Sequence, residues 1–278
     1  RANISFPALD LLNSANEGFP GFQIYCGDSA KSNHGQCGQY VSGVGDVNGD
    51  NITDILLSAP YYDGQGAAFV AYGTVTRPAA HVNVEFLNAS TTGVTVSGKN
   101  TGGAVGQAAT IIGDFNNDGF ADFAVNGYNA GKVYVLMGRP DSTAKNVNRE
   151  TFVSGADGFV LAGNSNLRVG ESISAAGDVN GDGFADFIVG VPDAVYQTTS
   201  RGGAYVIYGN AGPFTQKFLW NALDFVIFGA TTGSETGFSV AGAGDVNGDG
   251  FDDILVSSKS QSPPSVYVIY VSVVKPGI

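Results

Sequence analysis

The phrase Gly-Asp-Val-Asn-Gly-Asp-Gly stands at residues 177–183 and again at 244–250, with near copies at 45–51 and 113–119. The leading aspartates, Asp46, Asp114, Asp178 and Asp245, are spaced 68, 64 and 67 residues apart. A recurring period of this length marks a repeat architecture in which each unit covers its neighbour. The similarity runs through the whole unit. Before each phrase comes a small-residue run: QYVSGVGD, QAATIIGD, ESISAAGD and FSVAGAGD. After it comes an apolar run: TDILLSAP, ADFAVNGY, ADFIVGVP and DDILVSSK. A third run carries an aromatic at Phe69, Tyr134, Tyr205 or Tyr267, and a fourth (GFQIYCG, GVTVSGK, GFVLAGN, DFVIFGA) precedes each unit.

These runs are short, rich in Val, Ile, Phe and Tyr, and bounded by Gly, Asn, Asp or Pro, so they read as strands. No segment sustains a 3.6-residue apolar period, and helix content is expected to be low. Four strands per unit predict an all-β fold, a β-propeller of four-stranded antiparallel blades. The chain reads as a single domain with units at about 1–76, 77–143, 144–212 and 213–278. A continuously apolar second strand suits burial on both faces. The Gly/Ala/Ser-rich first strand suits the crowded axis. If the ring closes, the N-terminal strand completes the last blade and removes the open edges; an excerpt of a longer array reads the same way.

Within each phrase, positions 1, 3, 5 and 9 carry side-chain oxygens and position 7 offers a backbone carbonyl. The first set is Asp46, Asn48, Asp50, Ile52 and Asp54. The second is Asp114, Asn116, Asp118, Phe120 and Asp122. The third is Asp178, Asn180, Asp182, Phe184 and Asp186, and the fourth Asp245, Asn247, Asp249, Phe251 and Asp253. Alternate oxygens converge when such a chain curls, and a glycine at position 6 permits the turn. Asn51 replaces that glycine in the first copy and tolerates the same backbone region. With the last carboxylate at position 9 and no flanking helices, the loop is not an EF-hand. Oxygen-only donors select a hard cation, and calcium over magnesium. About four Ca²⁺ are expected, one per repeat. Twelve of the 25 acidic residues stand at these ligand positions, and four such ions would take the formal charge from −12 to −4. A metal-free Asx turn is the alternative for any single copy.

These motifs resemble the FG-GAP repeat, the blade of the integrin alpha-subunit propeller. The first half of the name matches Thr-Gly-Phe at 236–238, and the second survives as Ser-Ala-Pro at 58–60 and Gly-Val-Pro at 190–192. The loop matches in all four units. The resemblance implies a calcium-binding adhesion module. The best-known propellers of this family have seven blades and this chain shows four. A small complete ring, half of a two-chain ring and a segment of something longer all remain open.

The net charge of −12 and the absence of any Lys/Arg cluster exclude a nucleic-acid footprint and disfavour anionic membrane surfaces. No apolar run is long enough for a membrane helix, so no direct membrane insertion is expected. The chain begins at Arg1, as expected of a processed or excised product. Cys26 and Cys37 flank a polar loop and are expected to form a local disulfide; a zinc site with His34 lacks a fourth ligand. Sequons at Asn3, Asn51 and Asn88 favour secretion, with Asn3 and Asn88 the expected glycan acceptors, because a glycan at Asn51 would crowd its loop. The phosphate-loop likeness at 43–49 lacks Lys-Ser/Thr and is discarded. No G-x-S-x-G or H-E-x-x-H occurs, and neither His34 nor His81 sits in a catalytic pattern. Trp220 and the tyrosines read as blade core.

The expected function is a calcium-stabilised, extracellular, secreted or cell-surface adhesion module, not an enzyme. It would bind a protein or glycan ligand or self-associate. A lectin-like propeller and a calcium-dependent polysaccharide-active enzyme are the alternatives.

Overall fold

A computed structural model of the chain describes residues 23–26, 35–43, 45–75, 81–87, 89, 91–98, 104–140, 146–148, 152–164, 166–219 and 225–272. Apart from three single-turn 3₁₀ segments, every regular element among them is a strand. The strands form four successive antiparallel sheets. The first runs Val41–Gly43, Ile55–Ala59, Ala67–Ala71 and Gly93–Ser97, from inner to outer strand. The second runs Val105–Gly113, Asp122–Gly127, Lys132–Leu136 and Gly158–Ala162. The third runs Ser172–Gly177, Asp186–Val191, Gly203–Ile207 and Phe225–Phe228. The fourth has three strands among the described residues, Thr236–Gly244, Asp253–Ser258 and Ser265–Ile269.

Each acidic phrase is therefore the hairpin loop between a first and a second strand. The outer strand of each sheet comes from the run preceding the next acidic phrase, so sheet and sequence repeat are one strand out of phase. The reason is local. Third and fourth runs pair antiparallel in register, Ala67 opposite Ser97 and Gly158 opposite Leu136, before the chain moves on to the next sheet.

The cores lie between sheets. Val47, Leu56, Ala68 and Val70 of the first sheet pack with Ala109, Phe123, Val125 and Tyr134 of the second. Ile112, Phe115 and Phe159 of the second pack with Phe187, Val189 and Tyr205 of the third. Val179, Ile188 and Val206 of the third meet Val240, Ile254 and Val256 of the fourth. Successive first strands lie against one another. Ser42 and Thr110 hydroxyls approach to 3.4 Å across the first such contact. Small side chains there permit the close approach. The second strands Asp122–Gly127 and Asp186–Val191 are buried at every residue, as expected for strands covered on both faces.

Among the described residues the sheets do not close into a ring. Gln23–Tyr25 pairs in parallel with His81–Asn83 and does not pair with the fourth sheet. The same parallel arrangement joins Val147–Asn148 to the outer strand of the first sheet and Lys217–Phe218 to that of the second. Gln23–Tyr25 thus occupies the place of an outer strand of a sheet preceding the first. Ile24 and Cys26 pack with Leu57 and Phe69. Completion of the last blade by the N-terminal strand, expected if the ring closes, is not seen among the described residues. The strand holds an outer position, and among the described residues no further strand pairs with Ser265–Ile269 beyond Asp253–Ser258.

Candidate metal centres

The four acidic loops share one backbone. Positions 4 and 6 take left-handed angles: Gly49 and Asn51 (φ 81° and 64°), Asn117 and Gly119 (57° and 92°), Gly181 and Gly183 (74° and 90°), Gly248 and Gly250 (77° and 93°). Glycine and asparagine are the residues that pay least there. In three sheets the register shifts at the glycine just before the loop, Gly113, Gly177 and Gly244, a bulge that turns the strand into the hairpin.

The first aspartate gathers the loop. In the third copy Asp178 Oδ1 accepts from the Gly181 and Asp182 amides (2.7 and 3.1 Å), and Oδ2 accepts from Gly183 (2.9 Å). Asp182 Oδ1 accepts from the Phe184 amide at 3.0 Å, and Asn180 Nδ2 donates to Asp182 Oδ2 at 2.8 Å. The fourth copy repeats the set on Asp245, Asn247 and Asp249. Asp46, Asn48 and Asp50 repeat it in the first copy, and Asp114, Asn116 and Asp118 share most of it in the second.

The carboxylate at position 9 has a distinct setting. Asp54, Asp122, Asp186 and Asp253 are fully buried. In each, Oδ2 accepts from the position-2 amide: Val47 (2.8 Å), Phe115 (2.8 Å), Val179 (2.9 Å) and Val246 (3.0 Å). Oδ1 accepts from the chain just past the third strand: Gly73 (2.8 Å), Gly138 (2.7 Å), Gly209 (2.8 Å) and Val271 (2.9 Å). This aspartate latches the loop to the sheet. Burial, reinforced by the two nearest loop aspartates, raises Asp54 to about 6, Asp122 to about 8 and Asp186 to about 7, against the pull of the same amides. Ionised, these groups are short of compensating positive charge.

Among the described residues no three His, Cys, Asp or Glu side chains are gathered so as to hold an ion directly. The loop oxygens lie on the loop's own amides. Their chemistry still suits one kind of cation. Each loop offers three carboxylates, an amide oxygen and a backbone carbonyl, with no nitrogen or sulfur ligand, and among the described residues its buried carboxylate has no cationic partner. That set fits calcium, whose flexible shell accepts six to eight oxygens.

Cys26 and Cys37 are joined by a disulfide, S–S 2.00 Å. Asn3 and Asn88, the expected glycan acceptors, lie outside the described residues, as do His34 and Trp220. Tyr134 and Tyr205 are core residues, whereas Tyr267 is 40% exposed.

Two features have no signal in the repeat pattern. At the strand ends away from the loops, Arg168 binds Asp193 (2.7 Å) within its own sheet and Glu235 (2.6 Å) in the next. Asp252, one residue before the fourth latch, accepts from the Asp178 amide of the preceding loop at 2.8 Å. Only a departure from the small residues Thr53, Ala121 and Ala185 at the same position marks it in the sequence.

The FG-GAP repeat model matches residues 39–71, 106–136, 169–207 and 236–271, half of the chain, with one acidic loop in each match. Integrin alpha pat-2 of Caenorhabditis briggsae is 29% identical over 240 residues, covering 79% of this chain and 18% of that protein. Integrin alpha-PS2 of Drosophila melanogaster is 25% identical over 254 residues, covering 86% of this chain and 16% of that protein. Integrin alpha-6 of Gallus gallus is 33% identical over 93 residues, 34% of this chain and 8% of its own length. The chain thus spans less than a fifth of the curated relatives it matches. With four matched repeats, each built on the same strand–loop–strand unit, the chain belongs to the FG-GAP repeat family and is integrin alpha-like.

Proposed function

We propose that the chain is a calcium-stabilised β-propeller segment of an extracellular adhesion protein, holding a protein-binding surface in shape. The observation that carries this reading is the fourfold loop, with three carboxylates against one hairpin and the innermost buried beside its neighbours. Calcium in such a loop would neutralise that charge and add its binding energy to folding. Extracellular calcium modules of this kind bind with dissociation constants of about 10⁻⁴–10⁻³ M. The propeller reading is supported by the stacked first strands and by the N-terminal strand in an outer-strand position. The adhesion reading is supported by the integrin alpha relatives. Enzymatic activity has no support from a catalytic pattern in the sequence.

The test is thermal melting and calorimetric titration of the chain. Calcium should raise Tm by several degrees over chelator, with close to four ions bound per chain. No heat of binding and coincident melts would sink the calcium reading. Ligand class is read separately: capture of an extracellular protein ligand on immobilised chain supports adhesion, and binding to glycan arrays alone would replace it with the lectin reading.

A further inference from the structure

Each loop is held by the sheet that follows it. The position-8 amide of one loop donates to the carbonyl of the first aspartate in the loop before: Ala121 to Asp46 (2.7 Å), Ala185 to Asp114 (3.3 Å) and Asp252 to Asp178 (3.3 Å). The position-2 carbonyl is held from the same side, Val47 by the Arg139 amide (2.9 Å) and Phe115 by that of Asn210 (3.0 Å). The position-7 ring closes the contact. A Cβ at Gly49 would overlap Phe120, and one at Gly181 would overlap Phe251. Position-2 side chains show the result: Val47, Phe115 and Val179 are at most 3% exposed, whereas Val246 is 53% exposed. Among the described residues no sheet follows the fourth and no such bond reaches its loop.

At the junction of the third and fourth sheets a side chain joins the contact. Asp252 Oδ2 accepts from the Asp178 amide while the Asp252 amide reaches the Asp178 carbonyl. Both backbone polar groups flanking the first aspartate of the third loop are thereby tied to one residue of the fourth. We propose that Asp252 is a positioning residue for the cation loop of the preceding sheet, and that the first three loops are pre-set for the ion while the fourth is not. This rests on the calcium reading above. A loop held in place loses less conformational freedom on binding, so the pre-set sites bind more tightly.

The test is calcium titration calorimetry on the full chain. The variants are Asp252→Ala and Asp252→Asn, alone and combined with Asp182→Ala (third loop) or Asp249→Ala (fourth loop). The unaltered chain should show three tighter sites and one weaker by about tenfold, the scale of one charge-assisted hydrogen bond. Asp252→Ala should weaken one of the tighter sites by a similar factor. That loss should vanish in the Asp182→Ala background and persist in the Asp249→Ala background. Asp252→Asn, whose amide oxygen still accepts from Asp178, should restore the affinity. A loss that vanishes with Asp249→Ala would assign Asp252 to its own loop and overturn the proposal. So would four equal sites, an unchanged titration in Asp252→Ala, or no rescue by Asn. An unaltered chain that binds no calcium at all overturns the cation reading first and this inference with it.

Discussion

Asp182 and Asp186 lie four residues apart in one loop and do different work. Asp182 is exposed and bonded within the loop, while Asp186 is buried and spans from Val179 to Gly209. Asp186→Ala leaves two buried amides unpaired, a cost of about 2–4 kcal/mol with or without calcium. Asp182→Ala removes a proposed ligand and two exposed hydrogen bonds within the loop, so most of its Tm loss should appear in calcium and only a small part remain in chelator. Parallel melts of the two variants separate the roles. Acidity gives an independent check. The folded carboxyls of Asp54, Asp186 and Asp122 sit at about 6, 7 and 8, above the unfolded value of about 3.9. The folded chain therefore holds extra protons between these limits. Their contribution to stability is complete below about pH 4 and is lost as pH rises toward 8. In chelator, Tm should be higher at pH 5 than at pH 8. Saturating calcium, which binds the ionised form, should flatten or reverse that slope.

At the level of elements, the acidic hairpin joins its own sheet to the one beyond it. Gly181 and Gly248 occupy the same position of successive loops with nearly the same left-handed angle, 74° and 77°. Phe251 lies against Gly181, and nothing lies within 4 Å of a Cβ at Gly248. Gly248→Ala should cost about 1 kcal/mol for the left-handed backbone alone. Gly181→Ala should cost about 2 kcal/mol more, because the ring must move out of a packed contact. Denaturant midpoints of the two variants measure the difference. Equal losses would show that the loops are not braced across sheets. The same asymmetry explains how much of the strand assignment was legible. The second strands announced themselves because burial on both faces demands an unbroken apolar run. The outer strands were visible as strands, yet their membership depends on which neighbour they hydrogen-bond, and the repeat alone does not state it.

For the molecule as a whole, the fourth sheet presents a face that the first three cover. Val266 and Val268 are 66% and 47% exposed, whereas Ala204 and Val206, their counterparts in the third sheet, are buried under the fourth. With Val246 and the edge of Ser265–Ile269, unpaired among the described residues, they form an exposed apolar surface able to receive another sheet. Isolated in solution, the chain should self-associate through it. Light scattering should show mass rising with concentration, and Val268→Glu should lower that mass while leaving the melt in calcium within about 1 °C. A concentration-independent monomer would show that this face is closed in solution.

The periodic aspartates and glycines were enough to read the repeat, the four hairpin loops, the all-β class and the oxygen donors. Each of these rests on local chemistry: a left-handed turn needs Gly or Asn, a two-sided strand needs apolar residues, and a hard cation needs oxygens. Tertiary structure decided the rest. It turned the ninth-position aspartates into buried latches, because only packing decides which carboxylate loses water. It made Asp252 a partner of the preceding loop, because its reach across sheets depends on how they stack. Among the described residues it also leaves the sheets unclosed, with Gln23–Tyr25 against His81–Asn83, because closure depends on the angle accumulated over successive sheets and no single repeat encodes that sum.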